Sequence, residues 1–148
     1  NVDLIIETLT DNKNRSASNI RTILQKNGGR LGESGSTSHL FFICGVLQVE
    51  KSKFSDEEIL ELAISAGAKD CISNAEYHEI VTEKEDFYKV KSEIEKKVVN
   101  FSYSAIEWRP HSYLNLSKEQ SNAVIQMLET LEDDDDVQNT FINCKINI

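Results

Sequence analysis

The side chains best suited to chemistry are five cations in one acid-free stretch. From Asn12 to Gly32 the chain carries Lys13, Arg15, Arg21, Lys26 and Arg30 and no carboxylate. Clustered cations without acids are what phosphate contact requires, because backbone recognition of nucleic acid rests on net local positive charge. Helical spacing puts Arg15 and Lys26 away from the apolar stripe of this segment and Arg21 at its flank. The loop GGRLGESGS follows, holding four of the six glycines. It is expected to be flexible, and its hydroxyls and amides could add hydrogen bonds to phosphates. The candidate nucleic-acid-binding residues are therefore Lys13, Asn14, Arg15, Arg21, Lys26, Arg30, Ser34 and Ser36. The competing reading is a solvated helix face.

Other chemistry finds little support. Cys44, Cys71 and Cys144 lie far apart, with no CxxC pair. That spacing argues against a disulfide framework or a zinc site, and buried thiols in a reducing compartment are expected. His39, His78 and His111 are isolated and lack metal-ligand spacing. Asp133 to Asp136 lack the alternation and glycine of a calcium loop and read as a solvated acidic turn. The glycine loop has no Gly-Lys-Ser/Thr ending, so it is not the phosphate loop of a nucleotide hydrolase. Ser34, Ser36 and Ser38 stand in no nucleophile-elbow pattern. No catalytic residue, metal or cofactor is expected.

The elements that must hold the cations can be read from periodicity. Val2 to Leu9 reads as a strand. Asn14 or Ser16 caps a helix that runs to about Asn27 and stops at Gly28-Gly29. His39 to Ile43 and Val46 to Val49 read as two strand segments, with a bulge or bend at Gly45. Ser55 with Glu58, Thr82 with Glu85, and Ser117 with Gln120 each have the spacing of a capping box. Short strands are expected near 70–73 and 77–81, then a helix striped by Phe87, Val90, Ile94 and Val98. Phe101 to Trp108 alternates as a strand that Arg109-Pro110 breaks. Tyr113 to Leu116 is a short strand, Ala123 to Leu131 carries a helical stripe, and Val137 to Ile146 is the last strand.

The fold class is α+β, with two intertwined domains. Residues 51–110 have the βαββαβ order of a ferredoxin-like domain. Residues 1–50 plus 111–148 would form a discontinuous α+β domain into which it is inserted. The chain has 148 residues and a net charge of −9. Residues 1–50 are neutral, residues 51–110 carry −4 and residues 111–148 carry −5. The acidic balance argues against general nucleic-acid binding by this chain alone. No apolar run approaches the length of a membrane span. The chain starts on Asn1 rather than methionine and is expected to be a fragment.

The segment LTDNKNRSASNIRTILQKNGGRLGESGSTSHLF resembles the hallmark of the YebC/PmpR family, a strand, TDNxNR, a helix and a KxGGxLGxxGS loop. Three further pieces are similar to that family. They are Glu61 to Ala63 with Ala66 to Asp70, Thr82 to Phe87, and Leu131 to Asp133 with Asp135 to Asn139. The resemblance runs in order along nearly the whole chain. It implies a three-domain protein whose basic helical first domain is absent here, leaving an α+β domain with a ferredoxin-like insertion. It also implies a non-enzymatic regulator of gene expression, DNA-binding and cytoplasmic in bacteria. The alternative is a ribosome-associated translational activator, bacterial or of the mitochondrial matrix, contacting ribosomal RNA or ribosomal proteins. A basic protein is a further expected partner for the acidic surfaces.

Overall fold

The computed structural model describes residues 2–146 as a mixed α+β chain. It comprises two compact units, Asn1–Phe42 with Arg109–Ile148, and Ile43–Trp108. The boundaries fall inside two strands, β2 (Phe41–Glu50) and β5 (Tyr103–Pro110). The first cut is eight residues earlier than expected. The reason is pairing: Cys44 to Glu50 hydrogen-bond along β4 (Tyr77–Glu83), which commits most of β2 to the second unit.

In the first unit, β1 (Leu4–Thr8) pairs antiparallel with β7 (Val137–Ile142). Helices α1 (Lys13–Lys26) and α4 (Lys118–Glu132) supply the core residues Ile20, Leu24 and Leu131, with Leu4 and Ile6 packed against them. Leu4 and Ile6 share one face because strand side chains alternate. The short strands β6 (Leu114–Asn115) and β8 (Cys144–Lys145) pair in parallel. Asn143 breaks the expected last strand in two, because its side chain accepts the Asp3 N–H at 2.8 Å.

The second unit has the order β2, α2 (Asp56–Ala66), β3 (Asp70–Ser73), β4, α3 (Phe87–Glu95), β5. Its four-stranded sheet runs β3-β4-β2-β5. Leu47, Val49 and Ile80 from the sheet meet Ile59 and Ala63 of α2 and Phe87, Val90 and Ile94 of α3 in one core. These helix spacings of three and four residues are what turns the apolar side chains to one side.

Four local expectations change. Gly45 makes no bulge: β2 pairs with β4 in unbroken register, Gly45 opposite Thr82. A Cβ there would run into the Phe87 ring and the Thr82 hydroxyl, so close packing is what requires glycine. Thr82 caps no helix, because it lies buried in β4 and its hydroxyl donates to the Glu83 carbonyl. Pro110 ends β5 instead of breaking it earlier, since β5 is an edge strand where a missing N–H is tolerated. The cap of α1 is Asn12, whose Oδ1 accepts the Arg15 N–H at 3.0 Å, rather than Asn14 or Ser16.

The capping boxes at Ser55 and Ser117 form with both reciprocal hydrogen bonds. Ser117→Ala should therefore cost about 1 kcal/mol, read by chemical denaturation, since it leaves the Gln120 N–H without its side-chain acceptor.

Candidate nucleic-acid interface

Helix α1 begins at Lys13, directly after its Asn12 cap. Ser16, Ile20 and Leu24 turn inward, and this sets the opposite face outward. Lys13, Asn14, Arg15, Arg21 and Lys26 are all exposed. Gly28 ends the helix at φ 78°, donating its N–H to the Gln25 carbonyl, while the Gly29 N–H reaches the Leu24 carbonyl at 2.7 Å. This is the paired C-terminal motif that a left-handed glycine permits.

Arg30, Ser34 and Ser36 follow, also exposed. The glycine segment, expected as a flexible loop, follows hydrogen-bonded turns. The Ser36 N–H donates to the Glu33 carbonyl at 3.0 Å, and Ser38 Oγ donates to the Gly35 carbonyl at 2.9 Å. A Cβ on Gly32 would stand 2.6 Å from Ser36 Oγ, so that glycine lets the Ser36 side chain fold back.

Arg15 does not share the situation of its neighbours. Its Nη2 lies 2.9 Å from Asp11 Oδ1 and 2.9 Å from Asp136 Oδ1, and its Nε donates to Asp136 Oδ2 at 3.2 Å. Asp136 foremost, then Asp11, raises the guanidinium pKa above its ordinary value. Asp136 also accepts Ser16 Oγ at 2.6 Å, and its side chain is only 12% exposed. Hydrogen bonds from Arg15 and then Ser16 hold that carboxyl below the usual carboxylate range. Asp136 is thus a structural residue and not part of a freely solvated acidic turn. The positive charge of Arg15 is matched inside the chain.

Lys13, Arg21, Lys26 and Arg30 are in no ion pair among the described residues. Lys26 sits in the last turn of α1, where the helix dipole favours a cation. Lys13 sits in the first turn, where the dipole disfavours one, and no acid of that turn offsets it.

Of the remaining candidates for chemistry, His78 is held by the fold. His78 is fully buried, with Nε2 2.8 Å from the Phe54 carbonyl and Nδ1 2.7 Å from Ser73 Oγ. The carbonyl can only accept, so Nε2 carries the proton. Cys44 and Cys144 are buried, Cys71 is half-buried, and none of the three is in a disulfide among the described residues. Burial raises the pKa of Cys71 and Cys144, which disfavours the nucleophilic thiolate. Among the described residues, no three histidine, cysteine or carboxylate side chains gather in a metal-binding group, and no helix is long and apolar enough to cross a membrane.

Sequence reading missed the pair Arg15–Asp136, which spans 121 residues. The signal was present in that the N-terminal and C-terminal segments resembling the family hallmark each contribute one partner.

These features define a two-unit α+β protein in which four exposed, unpaired cations gather on one helix and the loop that follows it. The chain belongs to the TACO1/YebC family: residues 1–144 match the model of that family's second and third domains. It is 49% identical over 142 residues to a probable transcriptional regulatory protein of Pelagibacter ubique, covering 96% of this chain and 59% of the relative. It is 42% identical over 146 residues to a probable transcriptional regulatory protein of Zymomonas mobilis, covering 99% and 59%. The crystal structure of a conserved hypothetical protein of Aquifex aeolicus superimposes with a TM-score of 0.84 at 38% identity, covering 99% of this chain and 61% of that one. The chain therefore spans about three-fifths of the length of these relatives.

Proposed function

We propose that this chain is the second and third domain of a non-enzymatic regulator of gene expression that acts on nucleic acid as a DNA-binding transcriptional regulator in the bacterial cytoplasm. The names of its relatives support the regulatory role. The observation that carries the nucleic-acid part is the exposed set Lys13, Arg21, Lys26 and Arg30, free of ion pairs among the described residues of a chain of net charge −9. Lys13 strengthens the reading, since its place at the helix start opposes helix stability. Asn14, Ser34 and Ser36 are neutral exposed groups beside these cations and would add hydrogen bonds to phosphate oxygens. Arg15 leaves this set, because Asp11 and Asp136 occupy its guanidinium. The second unit reads as the inserted ferredoxin-like domain, supported by its βαββαβ order and its sheet order.

The test is charge reversal, R21E/K26E/R30E, in the full-length protein. If these groups meet phosphates, the slope of log K against log salt on duplex DNA should fall by about 0.9 for each phosphate that is no longer neutralised. Unchanged affinity and slope would remove this region from the interface. The translational reading has its own outcome, loss of ribosome co-sedimentation by the same variant with DNA binding intact. Neutralising Asp133 and Asp135, which are exposed, tests a basic protein partner separately.

A further inference from the structure

The first unit carries a second surface, away from the cations of α1 in sequence, built of aromatic rings and segments poor in acids. Three sequence segments without a single Asp or Glu come together there, 34–42, 109–118 and 137–146. The His111 N–H donates to the Leu40 carbonyl at 3.0 Å, and the Leu114 N–H donates to the Asn143 carbonyl at 2.8 Å. Every residue from His111 to Asn115 is exposed. Tyr113 is 48% exposed, and the Lys145 ammonium lies 5.7 Å from the centroid of its ring. His111 and Phe42 meet with ring centroids 5.4 Å apart. Asp3, the carboxylate that meets Asn143, is engaged by that side-chain amide at 3.3 Å.

Acid-free segments whose one neighbouring carboxylate, Asp3, is held by Asn143 suit a polyanion in a chain of net charge −9. Exposed rings beside a cation suit a polyanion whose bases are free to stack. A base inside a duplex has no free face, so an aromatic platform discriminates in favour of unpaired strands.

We infer that Tyr113, with Lys145 over one face of its ring and His111 two residues before it, is a stacking site for an unpaired base of single-stranded nucleic acid. This inference rests on the nucleic-acid reading above and narrows it to strands with unstacked bases. Tyr113 supplies the ring, and Lys145 supplies charge to the adjoining phosphate.

The experiment measures fluorescence anisotropy of three labelled 12-mers of one mixed sequence at low salt: single-stranded RNA, single-stranded DNA and duplex DNA. The protein is the full-length protein, wild type or carrying Tyr113→Ala, Tyr113→Phe or Lys145→Ala. Tyr113→Ala should weaken both single strands about 5-fold or more, since base–aromatic stacking is worth that by alanine substitution. Tyr113→Phe should keep the affinity, and duplex binding should change less than about 2-fold because it gains no stacking. Lys145→Ala should lower the single-strand salt slope by about 0.7. A greater loss on RNA than on DNA, or an equal loss, supports the site and identifies which strand it takes. Single-strand binding indifferent to Tyr113→Ala, or a Phe variant as weak as Ala, would overturn it. If R21E/K26E/R30E abolishes binding while Tyr113→Ala is silent, this inference alone fails. If no probe binds the wild-type full-length protein, both readings fail.

Discussion

Gly45→Val should destabilise the chain by about 3 kcal/mol, the upper end of the cost of overpacking a filled core, and lower its melting temperature by roughly 6–12 °C. Valine would bring one gain of its own. Strand propensity favours a β-branched residue over glycine by up to about 1 kcal/mol, so at an open strand position the change would stabilise. Position 45 is not open. A Cβ would meet the Phe87 ring and the Thr82 hydroxyl, and Thr82 and Phe87 are 0% and 3% exposed. Neither neighbour has solvent to move into, so the clash exceeds the propensity gain. Denaturant unfolding of the variant measures the effect. A second measurement isolates its cause. Phe87→Ala removes the side-chain atoms that the new methyl meets, so the double variant Gly45→Ala/Phe87→Ala should be more stable than the sum of the single effects allows. Strict additivity would mean that Gly45 is glycine for another reason.

The same residue shows which parts of the fold were legible in the sequence. Periodicity placed the four α-helices of the described residues, because α1 to α4 each expose one side and bury the other, and it missed the short 3-10 turns at Ser38–Leu40, Lys51–Lys53 and Lys84–Asp86. Capping boxes at Ser55 and Ser117 were readable because their partners lie three residues away, within the reach of local chemistry. Thr82 with Glu85 has the same spacing and fails. There the decisive neighbours are Gly45 and Phe87, which the local pattern does not contain. The bulge expected at Gly45 failed for the same reason, since a glycine in a strand signals either a bulge or a close approach and only tertiary packing chooses.

The candidate interface divides along this line as well. An acid-free stretch is a property of sequence, and it located Lys13, Arg21, Lys26 and Arg30 on an exposed helix and loop. Whether each cation is available is a property of pairing across the fold. Arg15 looked equivalent to its neighbours until the chain entering β7 brought Asp136 beside it. Tyr113 and Lys145 were equally unreadable, since their juxtaposition needs the parallel pairing of β6 with β8.

Asp136→Asn should produce the largest loss of thermal stability of any single carboxylate substitution in the acidic run 133–136, on the order of 5 °C. Asp133→Asn and Asp135→Asn, both at exposed positions, should change the melting temperature by about 1 °C or less. The difference follows from what each carboxylate holds. Asp136 accepts from Arg15 Nε, Arg15 Nη2 and Ser16 Oγ, and Ser16 is only 3% exposed. An amide keeps the shape but removes the charge and replaces one acceptor with a donor, which faces the Arg15 or Ser16 donors. The pH dependence tests the same contact independently. The folded pKa of Asp136 lies below its unfolded value, through the hydrogen bonds of Arg15 and then Ser16. The folded state therefore binds this proton less readily than the unfolded state. Its stabilising contribution is complete above the unfolded pKa and is lost as pH falls through the folded one. Wild-type stability should thus decline below about pH 4, the ordinary range of an aspartate, and part of that decline should vanish in Asp136→Asn. A variant that keeps the full acid-dependent loss would show that Asp136 is not a source of it. The substitution also frees the Arg15 guanidinium from its better-buried partner, leaving Asp11, whose side chain is 89% exposed. An exposed pair of this kind holds its charge weakly. If the α1 face contacts phosphate, Asp136→Asn should strengthen binding to nucleic acid and steepen its salt dependence while it weakens the fold. A structural defect alone would weaken both.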